Sequence, residues 1–125
     1  MKKILIICII IVVSIVLGDI LLQKYVDTTF DNMIAKLNDI DNSIDNKDES
    51  EKKIKELDDM WEENFKRMAC YLEHIELEKV KTQIILIKAG IESDDVKFVH
   101  EEVERAIYII DHIKEKETLR IDNIF

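Results

Sequence analysis

The sequence predicts an all-α protein, in which an N-terminal transmembrane helix is followed by an extracytoplasmic three-helix bundle. The chain opens with an almost unbroken apolar run from Ile4 to Leu22. Beyond that run, apolar residues recur at spacings of three and four, as on one face of a helix, while strand-like alternation is weak. Proline, which ends helices, is absent, and the only two glycines are Gly18 and Gly90.

The apolar run approaches the roughly 20 residues that a helix needs to cross a bilayer. Asp19 interrupts it near one edge, where a carboxylate can reach the headgroup layer. We therefore expect residues 1–24 to form a single-pass anchor in the plasma membrane, in contact with lipid through residues 4–22.

Basic residues indicate the orientation of this anchor. Lys2 and Lys3 precede the apolar run, whereas Lys24 is the only base close behind it. The positive-inside rule then places the N-terminus in the cytoplasm and residues 25–125, the acidic bundle domain, on the extracytoplasmic side.

A cleaved signal peptide is the alternative interpretation. Small residues before Asp19 suit a cleavage site, and the charged start is typical of such a segment. Against cleavage, the apolar run is long and continues through 20–22, beyond the cut.

The bundle domain is strongly acidic. Residues 25–125 contain 15 basic and 26 acidic side chains, a net charge of −11. Nucleic-acid binding depends on neutralising phosphates, so this charge excludes nucleic acid as a partner. It also disfavours a domain that lies flat on anionic lipid.

The first bundle helix is predicted over about residues 25–45. Its apolar residues follow one another at spacings of four and three: Val26, Phe30, Met33, Leu37, Ile40 and Ile44. This is a heptad stripe with a polar opposite face. No breaker separates it from the apolar run, which allows the two to form one continuous rod.

The second helix is predicted over about residues 49–89, after a capping-box pattern at Asp48 and Glu51. Its first apolar stripe supplies five candidate core residues: Trp61, Phe65, Met68, Leu72 and Ile75. A second stripe on another face indicates a helix sandwiched between two neighbours. At 1.5 Å per residue this helix would be about 60 Å long, so it either overhangs its neighbours or breaks.

The third helix is predicted over about residues 94–117. Gly90 suits the preceding C-cap, and Ser93-Asp94-Asp95 suits the new N-terminus, where the two acids face the positive end of the helix dipole. Val103 and Ile110 are its candidate core residues. The apolar tail 119–125 is expected to fold back onto the bundle.

No constellation for catalysis or metal binding stands out. The histidines, His74, His100 and His112, all lack the glutamate three residues before them that a di-metal bundle site needs. The densest polar cluster is Glu73, His74 and Glu78, which we interpret as surface residues around a partly buried histidine. We expect no cofactor, no metal and no enzymatic activity.

The chain resembles a family of short, single-anchor bacterial membrane proteins of clostridial type, domain of unknown function 4363. The resemblance rests on the apolar run, on Trp61 between Met60 and Glu62, on residues 70–80 (CYLEHIELEKV) and on the closing residues 121–125 (IDNIF). It implies a multi-span membrane protein as partner and carries over no functional residue.

These features predict a membrane-anchored interaction or scaffold module that contacts another protein. Its heptad faces could also pair between two copies as a homodimer. The alternative is a sensory or small-ligand-binding bundle, which would need a cavity with convergent polar groups.

Overall fold

The computed structural model describes the backbone of residues 1–124 and the side chains of residues 1–119. This part of the chain is all-helical, as predicted. Its helices are α1 (Lys2–Asn42), α2 (Lys47–Met68), α3 (His74–Glu92) and α4 (Val96–Ile124). Short connections make sequential helices antiparallel, and α4 also contacts α1. The result is a closed four-helix bundle.

The region predicted as one helix over 49–89 is two helices. α2 ends at Met68 and α3 begins at His74, with a turn over residues 69–73. Within this turn Tyr71 and Leu72 are buried. The break removes the overhang of a 60 Å helix, because each half now matches the length of its neighbours. The two apolar stripes of the predicted helix therefore belong to two helices that face one core.

The apolar run and the first bundle helix form one uninterrupted helix, α1. At 1.5 Å per residue it is about 60 Å long. Its N-terminal half is long and apolar enough to cross a membrane, and none of that window is buried against the described part of the chain. Its C-terminal half contributes Val26 to Ile40 of the heptad stripe to the core. No flexible linker separates the two halves.

The core contains most of the apolar residues singled out in the sequence. Buried among them are Trp61, which is 1% exposed, and Met68, Leu72, Val103 and Ile110. Phe65 is half-buried and packs against this core. Ile75, predicted to be buried, is instead 58% exposed. The prediction assumed one continuous helix, whereas the turn at 69–73 gives α3 a new rotation about its axis.

The ends of α3 and α4 also differ from the predicted ones. Gly90 lies inside α3, and the C-cap is Ser93. Asp94 has a φ of 56°, a left-handed conformation that aspartate tolerates better than most residues. α4 continues as helix through Ile124, so the backbone of the predicted tail is helical to that point. The packing of the tail beyond residue 119 lies outside the described residues.

Candidate functional site

The polar cluster predicted from the sequence lies on the surface at the start of α3. Glu73 is the N-cap residue of α3 and His74 is its first residue. His74 Nε2 lies 2.9 Å from Glu78 Oε1, one turn away, and both side chains are largely exposed. The Phe65 ring approaches His74 edge-on, with the ring centroids 6.2 Å apart. The arrangement is a solvent-exposed pair on one helix.

Metal ligands do not converge in the described residues. No group of three or more His, Cys, Asp or Glu side chains there is placed to hold an ion. His100 comes nearest, with Asp41 Oδ1 2.9 Å from its Nδ1 and Glu104 Oε1 3.2 Å from its Nε2.

Ion pairs connect α1 and α4 at the surface of the bundle. Asp41 lies on α1 and His100 on α4, and the hydrogen bond with Asp41 raises the pKa of His100, with Glu104 adding to the effect. Nearer the apolar N-terminal segment, Lys114 of α4 donates a hydrogen bond to Asp31 of α1. Partial burial raises the pKa of neighbouring Asp27, although Lys114 opposes that shift.

A second set of ion pairs joins α2 to α3. Lys81 Nζ lies 2.5 Å from Asp58 Oδ1 and 2.7 Å from Glu62 Oε1. Burial would lower the pKa of Lys81, but its hydrogen bonds to the two carboxylates outweigh that penalty and raise it. The positive charge of Lys81 and the negative charges of Asp58 and Glu62 compensate one another, as is typical of a structural contact between two helices.

A seam of buried polar residues between α3 and α4 was missed by sequence reasoning. Glu76 is buried on α3, and its Oε1 accepts a hydrogen bond from Lys116 Nζ at 3.2 Å. That bond also raises the pKa of Lys116. Further along, Gln83 is buried on α3 and Glu102 on α4. Glu76 and Gln83 are one heptad apart, so they share a face of α3. The seven-residue spacing of these two polar residues was the signal in the sequence that could have revealed the seam.

The surface above this seam is the α3–α4 groove, a shallow open depression. It is lined by Ile75, Glu78, Lys79, Thr82, Gln83 and Ile109. Ile75 is its most exposed apolar side chain. Next to Ile109 in sequence, Tyr108 is 71% exposed and its ring stacks on His112. The groove therefore combines exposed apolar side chains with charged and polar ones.

The other concave surfaces fit a small ligand poorly. One of about 350 Å³ between α2 and α3 is lined by six charged side chains and by only two apolar ones, Ile54 and Ile91, whereas ligand sites are lined mostly by apolar groups. A cavity near the connections at 43–46 and 93–95 has a volume of about 160 Å³, below the range of about 300–1,000 Å³ typical of ligand sites. A wider groove between α1 and α2, about 540 Å³, lies open along the helices. There the Tyr25 hydroxyl donates to Asn64 Oδ1, so these polar groups satisfy each other.

The fold and these surfaces define a class of protein: a four-helix bundle built onto a long apolar N-terminal helix. The chain belongs to the family described as Domain of unknown function (DUF4363), whose model matches residues 20–124. No curated protein and no solved structure matches the chain.

Proposed function

We propose that this protein is a membrane-anchored, extracytoplasmic helical module that acts by contact with another protein, without catalysis or a cofactor. The observation that carries the proposal is α1. One helix supplies both an exposed apolar segment long enough to span a bilayer and a quarter of the bundle core. Such a rod presents the bundle at a fixed height and angle, as a scaffold requires.

The orientation of the module follows from the charges around the apolar segment. Lys2 and Lys3 lie before it and Lys24 after it, which favours a cytoplasmic N-terminus. The bundle then lies outside the plasma membrane, beside the extracytoplasmic surfaces of multi-span membrane proteins. A partner of that kind is our proposal for what the module contacts.

The α3–α4 groove is the proposed contact surface. Ile75 and Tyr108 expose apolar area that the bundle itself leaves uncovered. Lys79 and Glu78, which line the groove together with Ile75, supply charges of both signs. Exposed apolar groups within a polar rim are typical of protein interaction sites.

A small-ligand sensor is the less favoured function. The bundle interior is occupied by large side chains, including Trp61, Phe30 and Met33. The cavities described above are smaller than a typical ligand site, open to solvent or lined mostly by charged side chains. Both observations fit a module whose interior serves stability and whose surface serves contact.

Site-specific photocrosslinking in native membranes tests the proposal. A photoreactive residue replaces Ile75, and a matched control replaces Lys52, an exposed residue on α2. We expect a discrete adduct from position 75 that is absent from position 52, with an integral membrane protein or a second copy identified by its mass. Equal adduct patterns at both positions would contradict a defined contact surface. A mature N-terminus at Asp19 would contradict the anchor.

A further inference from the structure

We propose that the base of the bundle is a second lipid-contacting surface that lies in the phospholipid headgroup layer beside the anchor. The base comprises the α2–α3 turn (69–73), the preceding Lys66 and Arg67, and α4 from Leu119 to Ile124. The inference rests on the proposed membrane anchorage and adds a contact that the anchor alone does not require.

The position of α4 relative to α1 is the first observation. Lys114 of α4 is paired with Asp31 of α1, and the two helices run antiparallel. Both helices rise about 1.5 Å per residue in opposite directions. Ile124 is ten residues beyond Lys114 on α4, so it lies level with the residue ten positions before Asp31 on α1, which is Leu21. Counting from the His100–Asp41 pair gives the level of about Leu17. Both levels lie inside the apolar run.

The α2–α3 turn reaches the same level independently. Asn64 of α2 accepts a hydrogen bond from Tyr25 of α1. Four residues later α2 ends at Met68, which this count places level with about Leu21. The Lys36–Glu56 pair places Met68 level with about Lys24, two residues beyond the apolar run. Residues 69–73 begin at that level, and Ala69 and Cys70 among them are exposed.

The length of the apolar run sets the depth of these elements. Residues 4–22 extend about 28 Å as a helix, close to the roughly 30 Å hydrocarbon core. Leu22 therefore lies near the edge of that core. The headgroup layer is about 5–8 Å thick on each side, so a bundle with its base at the level of Leu21 enters that layer.

The chemistry of the base suits phospholipid. Residues 64–73 include Lys66, Arg67 and one acid, Glu73, a net charge of +1 (2 − 1) within a chain whose net charge is −9. Both cations are exposed, and neither forms an ion pair with a side chain that the structure describes. Long basic side chains at this depth reach phosphates while their stems cover apolar surface. Leu119 is 57% exposed at the same end.

The opposite end of the bundle has the reverse character. Asp41, Asp45, Asp94 and Asp95 lie around its two connections. Anionic lipid repels these carboxylates. The bundle therefore stands on its base, and its acidic end points away from the bilayer.

Nitroxide accessibility in nanodiscs tests the inference. The full chain, with Cys8→Ser and Cys70→Ser, is reconstituted at one copy per disc in phosphatidylcholine and phosphatidylglycerol at 3:1. Single cysteines are introduced by Leu119→Cys, Tyr108→Cys and Val12→Cys and spin-labelled. Leu119 and Tyr108 are 11 residues apart on nearly the same face of α4, so Tyr108 is the matched control farther from the membrane. Circular dichroism verifies that each variant is folded.

We expect the label at position 12 to be accessible to oxygen and shielded from a water-soluble nickel complex. The label at position 119 should collide with nickel several-fold less often than the label at position 108. Equal nickel accessibility at 119 and 108, with position 12 shielded, would overturn the lipid contact and leave the anchor standing. Shielding of both 119 and 108 would mean that the bundle lies flat and would also overturn it. Exposure of position 12 to nickel would overturn the anchor and this inference together.

Discussion

Gly90 on α3 lies directly against Phe98 on α4. A β-carbon built on Gly90 would be 2.7 Å from Phe98 Cδ1 and 2.8 Å from Val99 Cγ2. Contacts this short are not tolerated between carbon atoms, so only glycine permits the observed approach of the two helices. Glycine is required at this position because it has no side chain. Its φ is not positive, so the conformation itself does not require glycine.

Gly90→Ala should destabilise the bundle by about 1–3 kcal/mol, because the added methyl group overpacks this contact. Urea unfolding of the full chain in detergent micelles, followed by helical circular dichroism, measures the change. Phe98→Ala in the same chain should recover part of the loss. Gly18→Ala is the control, since a β-carbon there meets nothing within 4 Å. Unchanged stability of Gly90→Ala would mean that α3 and α4 separate without cost.

Trp61→Ala should cost about 3–5 kcal/mol of unfolding free energy, because it leaves a large cavity in the core. Trp61 is 1% exposed and packs edge-on against Phe65. Tyr108→Ala is the control, an exposed aromatic residue on a helix, and should change stability by less than about 0.5 kcal/mol. Thermal unfolding of both variants measures the difference. An unchanged melting temperature for Trp61→Ala would place this residue at the surface.

The His100–Asp41 pair should make part of the stability depend on pH. The carboxylate raises the pKa of His100 in the folded chain. A raised pKa favours folding below the pKa of unfolded histidine, and this contribution is lost as pH rises through the folded value. His100→Gln should therefore cost more stability at pH 5 than at pH 9.

Asp41→Asn is the partner variant for this measurement. It removes the acceptor, so His100→Gln should have a smaller, less pH-dependent effect in its presence. Urea unfolding of the four chains at both pH values gives the comparison. A cost of His100→Gln that is equal at pH 5 and pH 9 would exclude a stabilising role for the charged pair.

The connection between α1 and α2 should be accessible from outside intact cells. Asp45 is exposed there, at the end of the bundle far from the apolar run. A chain with Cys8→Ser, Cys70→Ser and Asp45→Cys should react with a membrane-impermeant maleimide before lysis. Protection until the cells are lysed would reverse the proposed orientation.

Removal of metal ions should leave the fold unchanged. The core cluster is apolar, His74 and His100 pair with carboxylates on the surface, and His112 stacks on Tyr108. After dialysis against a chelator, the full chain should keep its helical circular dichroism and melting temperature. Native mass spectrometry before dialysis should find no stoichiometric zinc or iron. Loss of structure on chelation would make His100 the first residue to replace.

Much of the bundle could be predicted because its signals are local. The heptad spacing from Val26 to Ile40 predicted the buried face of α1, and that face is buried. The same spacing identified Trp61, Val103 and Ile110 as core residues. The buried seam was harder to predict, because Glu76 resembles the many solvated acids around it until Lys116 of α4 lies beside it.

The sequence by itself determined the helical content, the exposed apolar N-terminal segment and most of the core, because each depends on the spacing and polarity of residues within one helix. Only the tertiary structure decided that the chain turns at 69–73, that Ile75 is exposed, and that the bundle has four helices. No proline or glycine marks that turn. It forms because two shorter helices bury both apolar stripes against α1 and α4, which one long helix could not do.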